Sequence, residues 1–417
     1  MSRRLLAAAG GLLLLFSLAP PAHAAPGRPA DLGRQTLPAN DGWGGGTTGG
    51  SADARPTVVR TRDQLAAAVA GSAPKIVYVR GTIRPTESCA DYADPAYTLA
   101  GYLAAYDPAV WGRTTEPSGP LEEARVRSAA AQAERIKVRV GSNTTIVGLG
   151  RDARLLGLSL VLDGVDNVIV RNLRFEDAAD CFPQWDPTDG ATGNWNSAYD
   201  NLQLLGATRV WVDHNTFTDG ANPDSAQPSY FGRPYQVHDG LFDITRGSDL
   251  VTGSWNVFAG HDKVSLIGST NNPADDRGKL RVTLHHNRYT NVLQRLPRVR
   301  FGPVHVYNNL YEIPAADPFE YALGVGVESA IVAERNAFLL GPGVPPGDLV
   351  YNWGGTALTA RDNTVNGKPV DLVAAYNAAH DPDLGSDAGW TPTRVARIDP
   401  VSRVPAVVRL GAGSGRL

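Results

Sequence analysis

The sequence predicts an all-β chain wound as a single right-handed parallel β-helix, a solenoid with irregular loops, a short helical excursion and a C-terminal strap. The first observation is a recurring segment: an aliphatic residue, Asn five positions later, and an aromatic or aliphatic residue two positions beyond. It occurs at Val210, Asn215 and Phe217; Val251, Asn256 and Phe258; Val282, Asn287 and Tyr289; Val304, Asn309 and Tyr311; Ile331, Asn336 and Phe338; and Leu358, Asn363 and Val365. The second is spacing. The successive asparagines at 215, 256, 287, 309, 336 and 363 lie 41, 31, 22, 27 and 27 residues apart. A period in the twenties is that of stacked coils, and the longer gaps are one coil plus a loop. A propeller blade, at ~40 residues, is too long for the late copies. The third is alternation, as in Val282-Thr283-Leu284-His285-His286-Asn287, which turns one face of each segment inward.

Taken from the N-terminus, Met1-Ser2-Arg3-Arg4, an apolar run from Leu5 to Ala19 and the small-x-small site Ala22-His23-Ala24 predict a secretory signal over residues 1–24, with one β-helix domain over 25–417. The glycine cluster from Gly42 to Gly50 lacks the Lys-Ser/Thr ending of a phosphate loop and reads as turns. Leu121 to Ile136 is rich in helix formers and lies within an excursion that begins near Cys89. An early copy of the repeat, Val168 to Phe175, carries Leu173 in the Asn slot. Asn suits the bend between strands because it tolerates left-handed backbone and bonds neighbouring backbone groups. After Asp371 the chain, with Pro382, Gly385, Gly389 and Pro392, reads as an irregular strap.

Composition narrows the partners. The 417 residues carry 39 basic and 42 acidic side chains, a net of −3, which supplies no basic field for nucleic acid. No later apolar run resembles a membrane span. Two cysteines, Cys89 and Cys181, allow one disulfide and leave its formation open.

Unusual polar residues concentrate between Asp180 and Arg300. On a straight strand Asp239 and Asp243 stand ~13 Å apart, too far to share one ion at ~2.4 Å, unless the chain bends at Gly240. With Asp200 from an adjacent coil they would form an oxygen-only site of the kind calcium takes. Arg295 and Arg300 are five apart, an odd spacing that splits them between faces of a straight strand, but Pro297 argues for an irregular segment in which both face one groove. Arg binds carboxylates in bidentate fashion, and Lys263 adds a point charge. His285 and His286 are adjacent and point to opposite faces, as ladder or core residues.

These motifs together, Trp211-Val212-Asp213-His214, Asp239-Gly240-Leu241-Phe242-Asp243, His261-Asp262-Lys263, Val282 to Asn287 and Arg295-Leu296-Pro297-Arg298-Val299-Arg300-Phe301-Gly302, resemble the extracellular pectate lyases of polysaccharide lyase family 1. Phe182 to Gly190 resembles the bacillus-type branch. The resemblance implies Ca2+ as cofactor, with Asp200, Asp239 and Asp243 as ligands of a primary ion and Asp189 as a ligand of further calcium arriving with substrate. It implies Arg295 as the base, and Lys263 and Arg300 as the cations that hold the substrate carboxylate. The expected reaction is β-elimination in α-1,4-polygalacturonate by a secreted monomer, with an alkaline optimum because a guanidine base is most available at high pH. A hydrolase would use two carboxylates as acid and base, but the surrounding cations favour carbanion stabilisation. A pectin lyase acting on methyl-esterified polymer is the nearer alternative, and the full carboxylate set argues against it. A non-enzymatic polysaccharide-binding β-helix would have no need of Lys263 and Arg295.

Overall fold

A computed structural model describes residues 32–53 and 55–417; the expected secretory signal lies outside the described residues. The recurring segments stack as parallel strands into a right-handed β-helix. Their leading aliphatic residues form one ladder, Val168, Val210, Val251, Val282, Val304, Ile331 and Leu358. All are buried in a core that runs continuously from Val59 to Leu384.

The asparagines form a second ladder at the bend. The backbone N–H and Nδ2 of Asn215 donate to Oδ1 of Asn256 at 2.9 and 3.1 Å, and the same pair of bonds joins Asn256 to Asn287, Asn287 to Asn309, Asn309 to Asn336 and Asn336 to Asn363. Each Nδ2 also caps a buried carbonyl, as Asn256 does for Val212 at 2.9 Å. The left-handed residue, however, is not the ladder asparagine. It is the residue before it: His214, Trp255, His286, Asn308, Arg335 and Asp362, all with φ between +52° and +55°. Trp and Arg have no preference for that region, so the ladder bonds hold them there. Two positions after Leu173 and after the first five ladder asparagines, the rings of Phe175, Phe217, Phe258, Tyr289, Tyr311 and Phe338 stack with centroids 4.7, 5.2, 5.1, 4.7 and 4.5 Å apart. Leu173, in the Asn slot, ends the ladder and still donates its N–H to Asn215 Oδ1 at 3.0 Å.

His285 and His286 do not point to opposite faces. The strand Val282–His285 ends between them, and φ of +54° at His286 swings its ring back until the two Nδ1 atoms lie 2.8 Å apart. His286 Nε2 then meets Asp399 of the strap at 3.1 Å and His285 Nε2 meets Asp41 at 3.3 Å. Both ends of the described chain are thereby fastened to the same sheet.

The excursion contains the expected helix, at Pro120–Ile136, with Pro at its start and Glu122 and Glu123 in the first turn, where the helix dipole favours them. Cys89 and Cys181 are disulfide-bonded, tying this excursion to the solenoid. The strap is less irregular than expected: helices at Leu372–Asn377 and Val404–Gly411 dock on it, the second burying Val404 and Val408 against Leu310 and Ala337. Among the described residues no helix is long and apolar enough to cross a membrane.

Candidate active site

A sheet of eight strands occupies one side of the solenoid and ends, in chain order, with Leu202–Leu205, Phe242–Thr245, Leu266–Ile267, Arg298–Val299, Leu323–Gly326 and Val350–Trp353. Apolar residues such as Leu204, Ile244, Ile267 and Val299 alternate inward. The outward positions form two rows. One runs through Gln203, Asp243, Leu266, Arg298, Gly324 and Tyr351, and the other through Arg300, Gly326 and Trp353. Acidic, cationic, glycine and aromatic steps thus succeed one another along a single groove.

At the acidic end Asp200 and Asp243 converge over Gly240. A Cβ placed there would lie 2.5 Å from Asp243 Oδ1 and 2.7 Å from Asp200 Oδ1, so only glycine lets the two carboxylates approach. Gly240 N–H donates to Asp200 Oδ1 at 2.7 Å, Gln203 Nε2 donates to Asp200 Oδ2 at 2.8 Å, and Leu266 N–H donates to Asp243 Oδ1 at 2.9 Å. Burial, followed by the charges of Asp243 and Asp239, raises Asp200 well above the usual carboxylate range. Burial and Asp239 push Asp243 up to about 7, although Arg295 pulls the other way. Two buried carboxylates whose burial and mutual repulsion outweigh these relieving contacts suit a hard divalent cation bound through oxygen.

Asp239 is less committed to that pair, because its Oδ1 sits 3.3 Å from Lys263 Nζ. Among the described residues no group of three His, Cys, Asp or Glu side chains closes into a metal cage. Asp189 is exposed in the turn between the paired strands Gln184–Asp186 and Asn194–Asn196. The structure therefore brings Asp200, Asp239 and Asp243 to one end of the groove and leaves Asp189 on a separate hairpin.

The cationic step comes from the irregular segment expected around Pro297. Arg295 follows the strand Arg288–Gln294 with φ of +58°, and its Nε is buried without a hydrogen-bond partner. Arg300 is held by Asn271 Oδ1 at 2.8 Å and the Gly268 carbonyl at 2.7 Å; burial and the Arg295 charge lower its pKa. Arg295 acts on both Asp243 and Arg300 in these shifts, so its charge is within reach of an acidic residue and of the second arginine. Arg298, quoted in the motif above without a role, is pulled down to about 10 by burial and by Arg300.

A buried support beneath the groove was not read from the sequence. His261 Nε2 lies 2.8 Å from the Asp239 carbonyl and 2.9 Å from that of Lys263, while its Nδ1 faces both oxygens of Asp219 at 2.8 and 2.9 Å. One imidazole thereby sets the backbone of a candidate ligand and of a candidate substrate clamp. His238, next to Asp239, is gripped by Asp224 at 2.9 Å and Asp177 at 3.0 Å. Burial disfavours its charge, but the hydrogen bonds to Asp177 and Asp224 prevail and push it up to about 10. No local motif announces Asp177, Asp219 or Asp224, which come from loops of other coils.

The family profile described as Pectate lyase matches residues 118–381. A pectate lyase of Bacillus subtilis (strain 168) is 47% identical over 408 residues, covering 93% of this chain and 95% of its own length. A solved pectate lyase bound to a hexasaccharide is 46% identical, with a TM-score of 0.88, covering 93% of this chain and 100% of that one. The structure of a pectate lyase from Acidovorax avenae subsp. citrulli is 33% identical, with a TM-score of 0.85 over 97% of this chain and 99% of that one.

Proposed function

Because the chain belongs to the pectate lyase family, and is thus a polysaccharide lyase of pectate lyase type, we propose that it is a secreted, calcium-dependent enzyme that cleaves α-1,4-polygalacturonate by β-elimination. The observation that carries the reading is the groove itself: a repelling pair of buried carboxylates, Asp200 and Asp243, with the charge of Arg295 acting on Asp243 and on a second arginine, Arg300. In this reading Asp200, Asp239 and Asp243 hold the primary Ca2+, and Asp189 contributes to calcium that arrives with substrate. A calcium ion held by these residues would supply Lewis-acid charge that makes the C5 proton of the uronate more acidic.

Lys263 and Arg300 grip that carboxylate and stabilise the charge it gains as C5 is deprotonated. Arg295 takes the C5 proton. The electron pair forms the C4–C5 double bond, the C4–O4 bond breaks, and the departing oxygen takes a proton from solvent. One product therefore carries a 4,5-unsaturated end. The Cys89–Cys181 disulfide supports an oxidising, extracellular setting, in keeping with the leader expected over residues 1–24; the continuous core supports a single domain over 25–417, which in this reading acts as a monomer. The intact carboxylate set counts against the pectin lyase alternative.

The test is purified protein on polygalacturonate with calcium or chelator, read by ultraviolet absorbance of the unsaturated product. Signal with calcium and none with chelator is expected. Reducing ends without absorbance would replace elimination by hydrolysis, and equal activity in chelator would remove the calcium assignment.

A further inference from the structure

The motif His261-Asp262-Lys263 leaves its first residue without a role, and the surroundings of that residue supply one. His261 is buried, and its Nε2 faces only carbonyl oxygens, those of Asp239 and Lys263, so it carries a proton shared between them. Both oxygens of Asp219, itself buried, stand behind Nδ1 and hold the ring in that orientation. Each of the two carbonyls belongs to a planar peptide whose N–H reaches the site. The peptide from Asp239 to Gly240 turns its N–H to Asp200 Oδ1 at 2.7 Å. The peptide from Lys263 to Val264 turns its N–H to the Gln294 carbonyl at 3.2 Å, and that carbonyl is part of the peptide leading into Arg295. One imidazole donor thus fixes two peptide planes, one against a candidate calcium ligand and the other against the chain that carries the candidate base.

The side chains of the same two residues also meet, Lys263 Nζ lying 3.3 Å from Asp239 Oδ1. In the proposed reaction that ion pair opens, because Asp239 turns to calcium and Lys263 to the uronate carboxylate. The bonds from His261 go to backbone oxygens and survive the exchange. We propose that His261, oriented by Asp219, is a positioning residue that keeps the calcium carboxylates and the substrate cations in register once the Asp239–Lys263 pair opens. It acts through the two peptides and is neither a calcium ligand nor a substrate contact. Supporting groups of this kind govern how tightly a metal site closes and how well it works. The inference rests on the lyase reading of the groove.

The experiment measures calcium binding by calorimetry without substrate, polygalacturonate turnover at saturating calcium, and thermal unfolding in chelator. It compares wild type, His261→Leu, His261→Gln and Asn287→Ala. Leu keeps bulk and deletes both donors, and Gln returns an amide N–H near the place of Nε2. Asn287→Ala weakens the asparagine ladder instead and is the stability control. The expected result for His261→Leu is a calcium Kd raised and a kcat/KM lowered by about 10- to 100-fold each. His261→Gln should recover most of both, and Asn287→Ala should move neither. Unchanged Kd and kcat/KM in His261→Leu, losses of equal size in Asn287→Ala, or no recovery with Gln would each overturn the proposal. Should His261→Leu fail to fold, Asp219→Asn, which removes the carboxylate behind Nδ1, carries the same expectation and the same refutation. Should wild type release no unsaturated product, the lyase reading fails, and the calcium Kd of the variants decides the inference separately: weaker binding supports it, and equal binding, or none in wild type, overturns it.

Discussion

Replacing Asp243 by Asn should stabilise the calcium-free protein while abolishing its lyase activity. In the folded chain, burial and the Asp239 charge push Asp243 up to about 7, against ~3.9 for an unfolded aspartate. The folded state therefore holds a proton that the unfolded state has already released. The resulting penalty begins near pH 4, grows until about pH 7 and is complete above it. Three units correspond to about 4 kcal/mol. The amide, still buried and polar, returns about half of that, which leaves ~2 kcal/mol, with Asp200 relieved as well. At ~2.1 cal/mol/K per residue, a chain of 417 residues gains about 1 °C in Tm per kcal/mol, so the shift is about 2 °C. The assay is thermal unfolding by circular dichroism in chelator from pH 5 to pH 8, repeated with calcium. Wild type should lose Tm across this range and recover it with calcium, whereas D243N should show a flatter profile and little response to the ion. A lower Tm for D243N than for wild type, in chelator at pH 8, would refute the claim that the pair is held against its own repulsion.

Arg295→Lys should lower kcat by about 10²- to 10⁴-fold with thermal unfolding unchanged, and retention of near-wild-type product formation would remove Arg295 as the base. His238 is pushed up to about 10 by Asp177 and Asp224 despite burial. Its stabilisation is therefore complete below pH ~6.5 and lost as pH rises to 10, by about 2–4 kcal/mol. His238→Gln should flatten the wild-type fall in Tm over that range, and an equally steep fall in the variant would locate the alkaline loss elsewhere. Asn287→Ala strips the acceptor from the Asn256 N–H and the donor from the Gly253 carbonyl. Two stranded buried groups cost about 2–5 kcal/mol, seen as a Tm lowered by about 2–5 °C; an unchanged Tm would mean that water or a backbone shift replaces the ladder.

Where loops are absent, the spacing of the repeat carries the groove as well as the core. Arg298, Gly324 and Tyr351 are 26 and 27 residues apart and lie in one row, matching the 27-residue steps of the last asparagines, so this end of the site was within reach of the sequence. At the acidic end loops of different length intervene. Gln203 and Asp243 pair across 40 residues, and Leu266 and Arg298 across 32, so counting could not align them; Asp200 was joined to Asp243 by its carboxylate chemistry on an adjacent coil and by the motif resemblance. The same limit hid the support. His261 reaches Asp219 across 42 residues and His238 reaches Asp177 across 61, contacts that depend on where excursions fold back, not on any period. The left-handed bend was misassigned for a different reason. Side-chain preference pointed to Asn, yet the ladder needs that asparagine for its hydrogen bonds to both neighbouring coils, and its neighbour takes the positive φ even when that neighbour is Trp255 or Arg335. In a stacked fold the cooperative ladder outweighs the preference of any one residue, because each coil repeats the same bonds and the cost of one unfavourable φ, of order 1–2 kcal/mol, is offset by two or more buried hydrogen bonds.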